Sequence, residues 1–173
     1  MNEITQWSKK VTTIPIVDTH NGLDKISPLK MLILEEVEAE FFSFLPDDWK
    51  EELFPQWAQL KQSSPVYALC SIDAVHCMGI LFEGRTPQLS TYEQEYASLF
   101  QSHVYLGYLY TLPEYRLQSR ARYWLDTIKA HYKNRGIWLC IEELNLQHFY
   151  ELMGFQCLDT SSDTEQILFY SPN

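Results

Sequence analysis

The sequence predicts a mixed α/β (α+β) fold, and three stretches carry that prediction. From His103 to Ile141 an apolar run, an amphipathic stretch and a second apolar run follow one another. Pro65 to Phe82 reads as a hairpin of two apolar segments, and Phe155 to Tyr170 as a second hairpin that closes the chain. Two strands joined through a helix lie parallel with a right-handed crossover, whereas hairpin strands pair antiparallel. The expected product is one central, mostly antiparallel sheet of six or seven strands with about four helices around it. Their order is strand, two helices, three strands, helix, strand, helix, two strands.

Residues 10 to 18, Lys-Val-Thr-Thr-Ile-Pro-Ile-Val-Asp, are extended and β-branched, and Pro15 points to an edge position. After a loop around Asn21-Gly22 and Ser27-Pro28, the residues Leu29, Leu32, Ile33, Val37, Phe41 and Phe44 follow helical spacing, with Pro28 suited to the first turn. Pro46 ends that helix. Asp47 or Asp48 can cap a second one carrying Trp49, Leu53, Trp57 and Leu60, which Pro55 is expected to kink or split. The first hairpin turns at Asp73-Ala74. Glu83 to Ser102 is a connection of about twenty residues with a helical core from Tyr92 to Phe100, long for a compact domain.

The central unit then begins. His103 to Thr111 is aromatic and β-branched, reads as a largely buried strand, and is stopped by Pro113. From Arg116 onward Leu117, Ala121, Trp124, Leu125, Ile128 and Tyr132 recur at intervals of three and four, and Asn134-Arg135-Gly136 is expected to end the helix in a left-handed cap. Gly136 to Ile141 makes the next strand. The start of the helix faces the strand ends, the place where anions bind.

Composition bounds the function. The 173 residues, 46% of them apolar, suffice for one core, so one domain spanning 1–173 is expected. A formal net charge of -10 disfavours a nucleic-acid partner, whose affinity rests on Lys and Arg neutralising phosphates, and suits a cationic one. No apolar run approaches the roughly 20 residues of a membrane helix, and the N-terminus lacks the layout of a signal peptide, so no membrane partner and a cytoplasmic location are expected. Cys70, Cys77, Cys140 and Cys157 stand singly in apolar surroundings and read as free buried thiols; neither they nor the five histidines show metal-ligand spacing, so no metal is expected. Within this acidic chain, Arg116, Arg120, Arg122, Lys129, Lys133 and Arg135 make one locally basic segment, which favours an anionic ligand there.

The segment Leu109-Tyr110-Thr111-Leu-Pro-Glu-Tyr-Arg116-Leu117-Gln118-Ser119-Arg120-Ala121 resembles motif A of the GNAT superfamily of N-acetyltransferases, a strand end followed by Q/R-x-x-G-x-G/A. Arg116, Ser119 and Ala121 occupy its three signature positions, Ser119 standing where glycine is usual. Phe149-Tyr150-Glu-Leu-Met-Gly154-Phe155 resembles the family's motif B, and the hairpin strands resemble its second and third, including Gly79. The family's asparagine before the last helix fits Asn145 counted from the strand, or Glu143 counted back from Tyr150.

The resemblance implies a GNAT-like fold and an N-acetyltransferase that moves an acetyl group from acetyl-CoA to a primary amine, on a small molecule or peptide, by direct attack. It implies that the turn from Arg116 to Ala121 holds the pyrophosphate on free backbone N–H groups, that the Leu109 backbone donates to the thioester carbonyl, and that Thr111 pairs with pantetheine. Such an oxyanion donor is worth about 3 kcal/mol of barrier. Tyr150 matches the general acid that protonates the departing thiolate, or is simply the inward stripe of a short helix with Phe149 and Met153. Glu142 and Glu143, at the end of the fifth strand, are candidates for deprotonating an ammonium, or are solvated carboxylates. The acidic series Glu35, Glu36, Glu38, Glu40, Asp47, Asp48, Glu51 and Glu52 falls on segments that wall the acceptor site in the family, a field that attracts a cation. Where the family uses a short turn, residues 83 to 102 are expected to cover the acceptor cleft, ahead of a homodimer contact or packing on the domain's own sheet. A module that keeps the fold and binds acyl-CoA or a protein without chemistry is the alternative function.

Overall fold

A computed structural model describes residues 2–18 and 28–173. Its elements are α1 (Asn2–Thr5), β1 (Lys10–Ile14), β2 (Lys30–Glu35), α2 (Asp47–Leu60), β3 (Val66–Cys70), β4 (Val75–Phe82), α3 (Thr91–Tyr96), β5 (His103–Thr111), α4 (Arg120–His131), β6 (Gly136–Ile141), α5 (Gln147–Leu152), β7 (Gln156–Cys157) and β8 (Gln166–Tyr170). The strands form one sheet of eight in the order β1-β2-β3-β4-β5-β6-β8-β7. Every pairing is antiparallel except that of β5 with β6, where the helical crossover α4 makes it parallel.

The main departure from the expected order lies at residues 29 to 44. Instead of a helix, Lys30–Glu35 is a strand between β1 and β3, and only Ala39–Phe44 coils, as a 3₁₀ turn. The physical reason is burial on both faces. Leu32 and Leu34 enter one core while Met31 and Ile33 enter the other, an alternation of two that a continuous apolar run hides inside an apparent helical spacing. Pro28 precedes this strand and opens no helix; the loop at Asn21-Gly22 lies outside the described residues.

Smaller boundaries shift for local reasons. Strand β1 sits at the sheet edge as Pro15 suggested, but ends at Ile14. Helix α2 runs unbroken past Pro55, which is on its exposed side; Asp47 and Asp48 lie in its first turn and give no side-chain cap, Asp47 pairing with Lys50 at 2.8 Å. Helix α4 starts at Arg120 and not at Arg116, because Leu117 and Ser119 both have φ of 58° and Leu117, at 105% exposure, packs on nothing. None of Asn134, Arg135 and Gly136 has a positive φ, so the expected left-handed cap is absent. Glycine is required at 136 for room: a Cβ there would run into the His103 ring.

The two faces of the sheet have separate cores. Helices α4 and α5 cover one, centred on Trp124, which is fully buried and donates its indole N–H to the Tyr67 carbonyl at 2.9 Å. Helix α2, the 3₁₀ turn and the connection 83 to 102 cover the other, where Trp57 donates to the Val37 carbonyl at 2.7 Å. In that connection Ser90 and Glu93 form a reciprocal capping box at the start of α3, and Phe100 stacks on Trp138 at 5.0 Å. Of the insertion's apolar face, Phe100 is buried on the chain's own sheet, Tyr92 and Tyr96 are half-buried against the same core, and Leu99 is exposed. All four cysteines are free; Cys70 and Cys77 are buried as expected, whereas Cys140 and Cys157 are only half-buried. Among the described residues no helix is long and apolar enough to cross a membrane.

Candidate active site

Parallel pairing between β5 and β6 lasts only from His103–Tyr105 against Gly136–Trp138. Beyond it the strands part, β5 staying with β4 to Thr111 and β6 with β8 to Ile141. Between them is a cavity of about 330 Å³, lined by Leu106, Gly107, Tyr108 and Leu109 of β5, Leu139, Cys140 and Ile141 of β6, and Tyr150 of α5.

A bulge shapes the β5 wall. Pairing with β4 steps from Gly107 opposite Ile80 to Tyr110 opposite Met78, so Tyr108 and Leu109 together face the single residue Gly79. Tyr108 takes the strain of the bulge with φ of 57° and is held by its hydroxyl, which donates to Glu52 of α2 at 2.7 Å. Gly79 has no side chain because the Trp124 ring lies where one would go, 2.6 Å from a Cβ built there. The bulge leaves Tyr108 and Leu109 without a register partner on β4, and both residues line the cavity.

Past Thr111 the chain makes a turn with unspent donors. Tyr115 N–H reaches the Leu112 carbonyl and Arg116 N–H that of Pro113; the next backbone bond is from Tyr123 N–H to Ser119. The N–H groups of Leu117 through Arg122 therefore have no backbone acceptor among the described residues. Left-handed conformations at Leu117 and Ser119 fold these donors into one concave turn at the N-terminus of α4, a geometry that suits phosphate. Arg120 adds a buried Nε with no partner. The turn is braced from below: Tyr115 stacks on His76 at 3.6 Å, and Leu112 N–H donates to the His76 carbonyl at 3.0 Å. Burial, followed by the charge of Arg120, pushes the His76 imidazole down to about 4, so it is neutral at physiological pH.

Each residue singled out in the sequence has a definite place. Tyr110 packs against Trp49 at 5.8 Å. Arg116 donates through Nε to the Thr111 carbonyl at 3.1 Å and lies over the Tyr110 ring, so that nitrogen ties the turn to β5 and only the guanidinium end is free. Leu117 and Gln118 are exposed, Gln118 donating to the Glu114 carbonyl; Ala121 is half-buried against the core. Tyr150 is buried between Phe149 and Phe155 and lines the cavity; burial, with Cys77 nearby, pushes its phenol up. Glu142 and Glu143 are exposed at the cavity rim. Asn145 is exposed on the turn Leu144–Leu146 and is not part of the lining.

Of the acidic series, only Asp48 and Glu52 reach the cavity. Glu35, Glu36 and Glu38 pair with Lys10, Lys9 and Lys61, and Asp47 with Lys50, away from it. The missed carboxylates are Glu93 and Glu165, which do line it. Ser90-x-x-Glu93 is legible as a capping box, but only the folded insertion brings that cap to the cleft.

The Acetyltransferase (GNAT) family model matches residues 32–155. No curated protein matches the chain. Among solved structures, the Bacillus subtilis N-acetyltransferase YlbP in complex with coenzyme A aligns at TM-score 0.53 and 18% identity, over 84% of this chain and 97% of that one. A second Bacillus subtilis acetyltransferase in complex with CoA gives 0.58 and 12%, over 84% and 100%. A GNAT family acetyltransferase from Elizabethkingia anophelis with acetyl-CoA bound gives 0.55 and 10%, over 83% and 97%. These likenesses establish the fold, and the family match over most of the chain establishes the lineage: the chain belongs to the GNAT acetyltransferase family.

Proposed function

We propose that the chain is an acetyl-CoA-dependent N-acetyltransferase acting on a primary amine. The observation that carries the reading is the parting of β5 from β6 after three paired residues, with Tyr150 lining the opening and the free donors of residues 117 to 122 in the turn between β5 and α4. The turn N–H groups, with Arg120, hold the pyrophosphate. The unpaired backbone at Tyr108 and Leu109 binds the thioester carbonyl and stabilises the oxyanion that forms as the amine nitrogen attacks. As the C–S bond breaks, the Tyr150 phenol gives its proton to the thiolate; burial keeps that phenol protonated at neutral pH. Glu142 or Glu143 at the rim takes the proton the ammonium loses before attack, directly or through water, and the second proton, shed by the nitrogen as the amide forms, restores the Tyr150 phenol through water. Ser119 supports the cofactor-binding part of this reading, since it adopts a left-handed conformation of the kind glycine takes most readily.

A thiol-release assay with acetyl-CoA and a panel of primary amines tests the reading. Turnover with at least one amine, dependent on both substrates, is the expected result. Tight acetyl-CoA binding without release of thiol on any amine would leave the non-catalytic module.

A further inference from the structure

The turn before α4 is strained, and the side chains at the strained positions do not hold it. Leu117 and Ser119 both have φ of 58°, where a residue other than glycine stays only if its surroundings fix it. Leu117 packs on nothing, and Ser119 makes no side-chain cap to α4. The restraint comes from the segment 112–115. The Gln118 amide donates to the Glu114 carbonyl at 2.9 Å, and Arg120 donates through Nη2 to Gln118 Oε1 at 3.3 Å, so the strained residues are tied back to that segment. The segment is itself tied to β4 at His76. Leu112 N–H donates to the His76 carbonyl at 3.0 Å, and the Tyr115 ring lies on the imidazole with centroids 3.6 Å apart and planes at 7°.

Two rings left to themselves prefer an offset or edge-on contact, so a stack this close and parallel reflects rings that are held from behind. His76 is held in this way: it is 5% exposed, and its Nε2 shares a hydrogen bond of 3.0 Å with the Ser71 hydroxyl in the turn between β3 and β4. Its Nδ1 is buried with no hydrogen-bond partner among the described residues, a cost that an apolar ring would avoid, so filling space does not account for a histidine here. The charged groups that act on the ring are Arg120 of α4 and Glu114 of the turn, and the imidazole stays neutral beside them at physiological pH. A neutral ring offers a phosphate no charge; it offers the turn a fixed position.

We propose that His76 is a positioning residue for acetyl-CoA: held by Ser71, it fixes Tyr115 and with it the platform that keeps the N–H groups of residues 117 to 122 turned together before the co-substrate arrives. The proposal rests on the N-acetyltransferase reading above and adds the residues that prearrange its pyrophosphate site. Prearrangement lowers the ordering cost of binding, so it acts on acetyl-CoA affinity and leaves the chemical step and the acceptor alone.

The test measures the acetyl-CoA dissociation constant by isothermal titration, and kcat with the KM of each substrate by thiol release, in Ser71→Ala, Tyr115→Ala and Tyr115→Phe. Ser71 and Tyr115 are half-buried, which favours folded variants, and thermal melting accompanies each. An aromatic contact of this kind corresponds to about 2-fold to 10-fold in affinity. Tyr115→Ala weakens acetyl-CoA binding and raises its KM by that factor, with kcat at saturation and the KM of the amine unchanged. Tyr115→Phe keeps the stacked ring and binds as the native protein does. Ser71→Ala moves in the same direction as Tyr115→Ala and decides alone if Tyr115→Ala does not fold. An unchanged dissociation constant in the Ala variants overturns the proposal, and so does an equal loss in kcat or in the KM of the amine, which would mark a general loosening. If acetyl-CoA binds without turnover, the titrations decide by themselves, with recovery in Tyr115→Phe as the supporting result. If the native protein binds no acetyl-CoA, the N-acetyltransferase reading fails and this proposal falls with it, an outcome distinct from native binding that no variant disturbs.

Discussion

At the scale of single residues, one oxygen atom separates two accounts of Tyr150. Its ring fills space between Phe149 and Phe155, which any core aromatic would do, and the residue lines the cavity, where an acid would serve the proposed transfer. Tyr150→Phe keeps the ring, so the melting temperature and acetyl-CoA affinity should stay close to those of the native protein. The catalytic rate should fall by about 10-fold to 10,000-fold. A Phe variant with full rate by thiol release would reduce Tyr150 to packing. Tyr150 was legible in the sequence because it stands four residues before Gly154-Phe155 on a short helix. Glu93 was not, because its burial depends on Tyr105, twelve residues on, and on Glu165, brought in by the last strand.

Among elements, the hairpin β3–β4, the unit β5–α4–β6 and the closing strands were legible because pattern and flanking turn residues agree there. Strand β2 was not: its four apolar residues serve two cores, and such a run has no periodicity of its own to tell strand from helix. The turn before α4 was half legible. Its chemistry could be read, but extending the helix back to Arg116 overlooked the left-handed residues that make the turn concave. Those residues lead to a prediction at this scale. A β-branched side chain cannot take φ near 58° without strain, so Ser119→Val should lower stability by about 1–2 kcal/mol and weaken acetyl-CoA binding. Ser119→Gly should lose neither, since relief of the left-handed strain offsets the added freedom of the unfolded chain. Urea titrations of the two variants check this; equal stabilities would mean that the turn is not held as described.

For the whole molecule, the sheet is a partition that opens between β5 and β6. Its two faces carry separate cores, and β5 and β6 part where the crossover helix α4 brings its free N–H groups to the strand ends. The cavity wall is acidic and the turn that follows β5 carries Arg116 and Arg120, the two signs of charge that the proposed reaction of an anionic co-substrate with an amine calls for. The sheet and the basic turn could be anticipated from local pattern. The acidic wall could not, because it is assembled from α2, the insertion and the chain before β8, which meet only in the folded molecule. The central claim is that the opening with its turn is an acetyl-CoA site, and isothermal titration of acetyl-CoA into the purified protein tests it most directly. One molecule bound per chain is the predicted result, with affinity weakened in Arg120→Ala, whose buried Nε lacks a protein partner. Absence of binding up to millimolar acetyl-CoA would contradict it.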